Sequence, residues 1–178
     1  MATHTEHTVL TPPVFETPVR VLVVLSPYYK EIAADLRAGA IAALEAARAM
    51  YDVVEVPGAL EIPQAIALAM PTGQYDGYVA LGCVIRGETS HYETVCNDSS
   101  RGLMELGLKG GCIGNGILTV ETLDQALVRA EASGLNKGGG AADAALHLIA
   151  FKRRLAGPAA PLPAGSVRVA GDLGTGVA

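Results

Sequence analysis

From residue 20 onward the chain alternates short apolar runs with longer segments whose apolar residues recur every three or four positions, the signature of strands alternating with amphipathic helices. Residues 20–25 are a β-branched and leucine run that stops at Ser26-Pro27, where proline cannot donate to a ladder. Over 31–50, Ile32, Leu36, Ile41, Leu44 and Ala47 keep helical spacing. A second strand is predicted at 51–56, stopped by Pro57-Gly58, and a second helix at 60–70, closed by Pro71-Thr-Gly73. Residues 79–85 are apolar on both faces apart from a glycine, as a central parallel strand covered by helices on each side should be. Ser90 and Glu93 then have capping-box spacing, which predicts a helix that starts at His91 and runs to about residue 106. Lys109-Gly-Gly111 reads as a turn, 112–119 as a fourth strand, and Thr122 with Gln125 as a second capping box, opening a helix that ends near Ser133-Gly134. Asn136-Lys-Gly-Gly-Gly140 reads as a connection before a last helix, to about residue 155, with Ala141, Ala145, Leu148 and Ile149 at helical spacing.

This alternation predicts parallel strands joined by right-handed crossovers and covered by helices, a three-layer α/β/α sandwich with a four-stranded parallel sheet. One domain is expected at 19–155, preceded by a polar, Thr- and Pro-rich extended arm at 1–18, of the kind that can add a strand to a neighbouring subunit's sheet. Residues 156–178, rich in Ala, Pro and Gly, read as a flexible tail.

Composition narrows the function. With 178 residues, half of them hydrophobic, the chain has material for one sizeable core. A formal charge of -5 with scattered Lys and Arg argues against a nucleic-acid surface, and Lys152-Arg-Arg154 reads as a cationic helix end that complements the dipole. Cys83, Cys96 and Cys112 lack Cys-x-x-Cys spacing, so neither a zinc site nor a disulfide framework is indicated. No apolar run nears the roughly twenty residues that span a bilayer, and no signal-peptide pattern opens the chain. A soluble, cytoplasmic protein without a membrane partner is the expectation.

In open parallel sheets, ligands bind beyond the carboxyl ends of the strands. Here those ends carry Ser26-Pro-Tyr-Tyr29, Pro57-Gly-Ala-Leu-Glu61 and Arg86-Gly-Glu-Thr-Ser-His91, with Asn115 and Thr119 near the fourth strand. The start of the third helix favours a bound anion, and His91 is a proton carrier beside it. Taken singly, each has an ordinary alternative: Tyr28 covering the sheet edge, Glu61 complementing a helix dipole, Arg129 on a solvated helix face, Cys83 and Cys96 filling core space. Physical chemistry alone reaches an α/β protein that binds a small anion.

Together the motifs say more. Val56-Pro-Gly-Ala-Leu-Glu-Ile-Pro63, Ala80-Leu-Gly-Cys-Val-Ile-Arg-Gly-Glu-Thr-Ser-His-Tyr92, Val95-Cys-Asn97, Gly116-Ile-Leu-Thr119 and Asn136-Lys-Gly138 resemble the lumazine synthase family over about residues 19–152. That resemblance implies a flavodoxin-like fold and a transferase of riboflavin biosynthesis. It joins 5-amino-6-(D-ribitylamino)uracil to 3,4-dihydroxy-2-butanone 4-phosphate without metal or organic cofactor. It also implies homopentamers, in some members assembled into sixty-subunit shells, with sites shared between subunits. By the same resemblance His91 moves protons, and Glu88 and Thr89 with Arg129 hold the phosphate, the arginine reaching across the interface. Cys83, Val84 and Ile85 offer backbone to the pyrimidine, Ala59, Leu60 and Glu61 face the ribityl chain, and Tyr28 stacks on the ring. Two positions depart from the family pattern: Pro27-Tyr28-Tyr29 replaces Arg-Phe-Asn, and Asn115 stands where many members have Phe. These departures keep two further readings open, a module that holds a flavin or lumazine without turnover and a shell subunit with incidental catalysis.

Overall fold

A computed structural model describes residues 10–156. The first nine residues of the expected arm, and the expected tail beyond 156, lie outside the described residues. Four strands, β1 (Arg20–Leu25), β2 (Met50–Glu55), β3 (Gly77–Ile85) and β4 (Ile113–Val120), form a parallel sheet in the order β2-β1-β3-β4. The helices described are α1 (Lys30–Ala46), α2 (Glu61–Ala69), α3 (His91–Leu108), α4 (Leu123–Ala130) and α5 (Lys137–Ala156), and a 3-10 turn at Met70–Thr72 follows α2. The result is the flavodoxin-like α/β/α sandwich expected from the alternation.

The pleat sorts the core into two halves. Val21, Val23, Leu25, Val79, Leu81 and Cys83 pack with α1, α4 and α5 on one face of the sheet. Leu22, Val24, Tyr78 and Ala80 pack with Ile62 and Ile66 of α2 and Leu103 of α3 on the other. Residues 77–83 of β3 are therefore buried without interruption, and exposure begins only at its carboxyl end.

Four local expectations are corrected. Helix α1 stops at Ala46 rather than 50, because Arg48 adopts a left-handed φ of 58°, which breaks the helix and releases Met50 into β2. Helix α4 ends at Ala130, where Glu131 leaves helical geometry with ψ 114°. The glycines after Asn136 are helix, not connection: α5 begins at Lys137, and the Asn136 side chain accepts from the Gly139 N–H at 2.9 Å, capping the helix. These glycines serve close packing. A Cβ on Gly138 would lie 2.0 Å from the Leu36 carbonyl oxygen, and one on Gly114 of β4 would lie 1.8 Å from that of Ala141.

The fourth correction concerns the arm, whose end is packed rather than free. Pro13 and Phe15 are buried, and the Phe15 N–H donates to the Ala47 carbonyl at 3.3 Å. Arg153, near the end of α5, donates to the carbonyls of Thr17 (2.9 Å) and Pro18 (2.7 Å) and pairs with Asp76 at 3.1 Å. Its guanidinium also lies 5.7 Å from the centre of the Phe15 ring. Asp76 in turn accepts from the Arg20 N–H at 2.8 Å, tying the start of β1 to the same knot.

The α5 contacts give a paired prediction. Gly138→Ala forces backbone apart, so unfolding titrations should show a loss of at least about 3 kcal/mol, the upper range of overpacking. Gly140→Ala, with nothing within 4 Å of its Cβ, should gain about 0.5–1 kcal/mol from the better helix former. Equal effects at the two positions would contradict the packing described.

Candidate active site

Three ladders each run one residue past their strands. The Ser26 N–H donates to Leu81, that of Val56 to Leu25 and that of Arg86 to Val120, at 2.9, 2.9 and 3.0 Å. The chain then turns away from the sheet at neighbouring points, and the loops border a cleft of about 380 Å³. The loop after β1 contributes Ser26, Tyr28 and Tyr29, the one after β2 Gly58, Ala59, Leu60 and Glu61. From β3 and its loop come Cys83, Val84, Ile85, Gly87 and Thr89, and from the first turns of α3 His91, Tyr92 and Val95.

Tyr28 is 72% exposed and meets Tyr29 edge to face, their centres 5.1 Å apart, so a broad aromatic face is turned to solvent above the cleft. Burial first, then the neighbouring Cys83 and Tyr28, raise the Tyr29 phenol above its ordinary pKa, which keeps it a hydrogen-bond donor. Glu61 stands in the first turn of α2, where a carboxylate complements the dipole. Its carboxylate folds back over Gly58, where a Cβ would lie 2.9 Å from its oxygen. Cys83 is buried in the wall: burial, then Cys96, push its thiol from 9.0 up to about 11. It is wall rather than nucleophile.

The expected capping box at α3 is absent. Ser90 already has helical geometry and makes no side-chain cap, and Glu93 turns to Arg86 instead. Thr89 offers its hydroxyl to the His91 N–H at 3.4 Å, a long contact. The second box is half formed: Thr122 accepts from the Gln125 N–H at 3.3 Å, while the Gln125 side chain serves Glu121 rather than the cap residue.

Of the site residues expected from sequence, the cleft gathers His91, Tyr28, Ala59, Leu60, Glu61, Cys83, Val84, Ile85 and Thr89. Three others lie outside its lining. Glu88 is exposed on the loop. Asn115 is the third residue of β4, level with Ala80, and its side-chain oxygen accepts from Ile117 N–H at 2.9 Å. Arg129 lies on α4, on the opposite layer from α2 and α3, and donates to the Gln125 carbonyl at 3.0 Å. Sequence reading missed Val95 as a lining residue, although it follows His91 by four and so shares its helix face. Among the described residues no group of His, Cys, Asp and Glu could hold a metal ion, and no helix is long and apolar enough to cross a membrane.

A parallel sheet with a ring-sized slot at its carboxyl edge, and a histidine on the helix that opens beside it, defines a flavodoxin-like enzyme for small molecules. Residues 18–153 match the 6,7-dimethyl-8-ribityllumazine synthase family, and the chain belongs to that family of transferases of riboflavin biosynthesis. A relative named 6,7-dimethyl-8-ribityllumazine synthase from Jannaschia sp. is 52% identical over 161 residues, covering 89% of this chain and 90% of its own. Relatives of the same name from Methylobacterium radiotolerans and Bartonella tribocorum are 59% and 57% identical, each over 75% of this chain and 82% and 90% of their own.

The environment of Cys83 predicts its reactivity. At pH 8 its thiolate should be on the order of a hundred-fold scarcer than that of a thiol titrating at the ordinary value. Iodoacetamide labelling of the folded protein, mapped by mass spectrometry, should therefore accelerate at Cys83 only as pH climbs toward 11. Rapid labelling at pH 8 would contradict the buried, neutral assignment.

Proposed function

We propose that the cleft condenses 5-amino-6-(D-ribitylamino)uracil with 3,4-dihydroxy-2-butanone 4-phosphate, giving 6,7-dimethyl-8-ribityllumazine, phosphate and water. What carries this reading is the meeting in one cleft of residues from three separate segments, in a chain that belongs to this family throughout its body. The pyrimidine ring lies between the Tyr28 ring and the backbone of Cys83, Val84 and Ile85, with the ribityl chain along Ala59, Leu60 and Glu61. The phosphate sits at the loop of Gly87, Glu88 and Thr89, where free N–H groups and the α3 dipole favour negative charge.

Amine attack on the ketone, loss of water to an imine, phosphate elimination and ring closure are additions and eliminations with no external oxidant. The tasks left to the protein are orientation, proton transfer and holding the leaving phosphate. His91, on the first turn beside the phosphate loop, moves the proton. Orientation supplies most of the acceleration, because the amine and the ketone already react with each other.

Within one chain, Arg129 and Asn115 lie outside the cleft, so the complete site needs a neighbouring copy to bring them. We take the assembly to be a homopentamer in the cytoplasm, the sixty-subunit shell requiring further contacts between pentamers.

Mixing the purified protein with both substrates should produce the absorbance and fluorescence of the lumazine; ligand binding without product would favour a mere binding module. In the same assay His91→Ala should lower turnover roughly 10²-fold, the low end for a general acid–base group, because substrate amine and water also carry protons. Unchanged turnover across the pH range would remove His91 from the mechanism.

Arg129→Ala should raise the KM for the butanone phosphate well above its effect on the pyrimidine, since a charge-assisted contact to phosphate alone is lost. Coexpressing Arg129→Ala and His91→Ala chains should restore part of the activity, as some mixed interfaces regain both wild-type residues. No recovery in assemblies shown to be mixed would contradict the shared site.

A further inference from the structure

Arg86 is a residue of the β3–α3 loop that the proposed chemistry leaves unused, and its contacts join the end of β4 to the first turn of α3. Its Nε donates to Glu121, just beyond β4, at 2.6 Å. Its Nη1 donates to Glu93 in the first turn of α3, and its guanidinium stacks 4.1 Å from the centre of the Tyr92 ring. All of this is at the surface: the side chains of Arg86, Glu93 and Glu121 are 39%, 49% and 55% exposed. Ion pairs so exposed contribute little to stability, so this arrangement needs another rationale.

Glu93 supplies it. It stands three residues after Ser90, the spacing at which a glutamate turns back over the start of its own helix and occupies the free N–H groups. In this structure it does not reach the Ser90 N–H, the partner a capping box would give it. Its carboxylate takes a hydrogen bond from Arg86 and a second from its own N–H, and these, Arg86 first, hold its pKa below the usual carboxylate range. With Glu93 held off the Ser90 N–H and Ser90 making no side-chain cap, the beginning of α3 beside Gly87, Thr89 and His91 is open toward the cleft.

We infer that Arg86 is a positioning residue for phosphate binding: by holding the Glu93 carboxylate off the Ser90 N–H at the start of α3, it keeps a built-in anion from competing with the substrate's phosphate. The inference rests on the placement of the phosphate proposed above. Arg86 need not touch the substrate, and Tyr92, sandwiched against the guanidinium, together with Glu121 fixes the direction in which the carboxylate is drawn.

The two halves of the ion pair should therefore behave oppositely when removed. The probe is inorganic phosphate, its affinity read from the concentration that protects the folded protein against thermal unfolding. Arg86→Ala frees the carboxylate to cap the helix and should weaken phosphate about ten-fold, the scale of a helix cap. The KM for the butanone phosphate should rise in parallel, and that for the pyrimidine much less. Glu93→Ala breaks the same pair but leaves no competitor, so phosphate affinity should stay near wild type. The double variant Arg86→Ala/Glu93→Ala should recover most of what Arg86→Ala loses. Arg86→Ala/Glu93→Asp should recover it too, since the shorter side chain keeps its charge but reaches the cap poorly. Equal weakening by Arg86→Ala and Glu93→Ala, or no recovery in the double variant, would overturn the inference and leave a merely structural clamp. Recovery with Ala but not with Asp would also overturn it, in favour of a simple charge effect. If Arg86→Ala does not fold, Arg86→Gln, which loses the charge but keeps much of the side chain, takes its place in the same comparisons. Because phosphate binding needs no turnover, a wild-type protein that binds phosphate but forms no lumazine would remove the catalytic reading and leave this one standing.

Discussion

Everything in this chain follows from a central strand that has no wet face. Strand β3 lies between β1 and β4 and under helices on both sides, and from Gly77 to Cys83 every residue is buried. A charged side chain anywhere along it would lose hydration without a partner, at a cost of several kcal/mol. Polar chemistry is therefore driven to the end of the strand, where Val84 and Ile85 begin to emerge and Arg86, Glu88, Thr89 and His91 follow in quick succession. Strands β1 and β2 likewise place Ser26 and Glu61 beyond their carboxyl ends. The cleft sits at the carboxyl edge because that is where the buried central strand first gives way to polar groups.

The same constraint explains what was legible. Period and punctuation gave all four strands within a residue or two, because a strand buried on both faces has an unmistakable composition and Pro or Gly closes several of the loops. Three signals misled, each through tertiary contact. The Gly138 to Gly140 run looks like a connection by propensity, yet it is helix because α5 must approach Leu36 at backbone distance. Ser90 and Glu93 have the spacing of a cap, but Arg86 competes for the carboxylate from a position that only the fold brings near. Phe15 sits in a polar stretch, and only the distant Arg153 and Ala47 give it a place to be buried.

The site itself was readable only in part. Residues on adjacent strand ends converge because the sheet order is β2-β1-β3-β4, so the loops after β1, β2 and β3 are spatial neighbours. Arg129 and Asn115 follow a different logic. One is on a helix of the opposite layer, the other partway along an edge strand, and neither lines the cleft. A sequence names such residues but carries no signal for where the layers will set them relative to the cleft.

The pair of rings at the mouth of the cleft has an optical consequence. The protein contains six tyrosines and no tryptophan, so its near-ultraviolet emission belongs to phenols alone. Two of those six, Tyr28 and Tyr29, are in mutual contact where a flat heterocycle would lie. A flat heterocycle bound as proposed would lie against Tyr28. Its arrival would then be read in the protein's own fluorescence, with no indole signal to mask it.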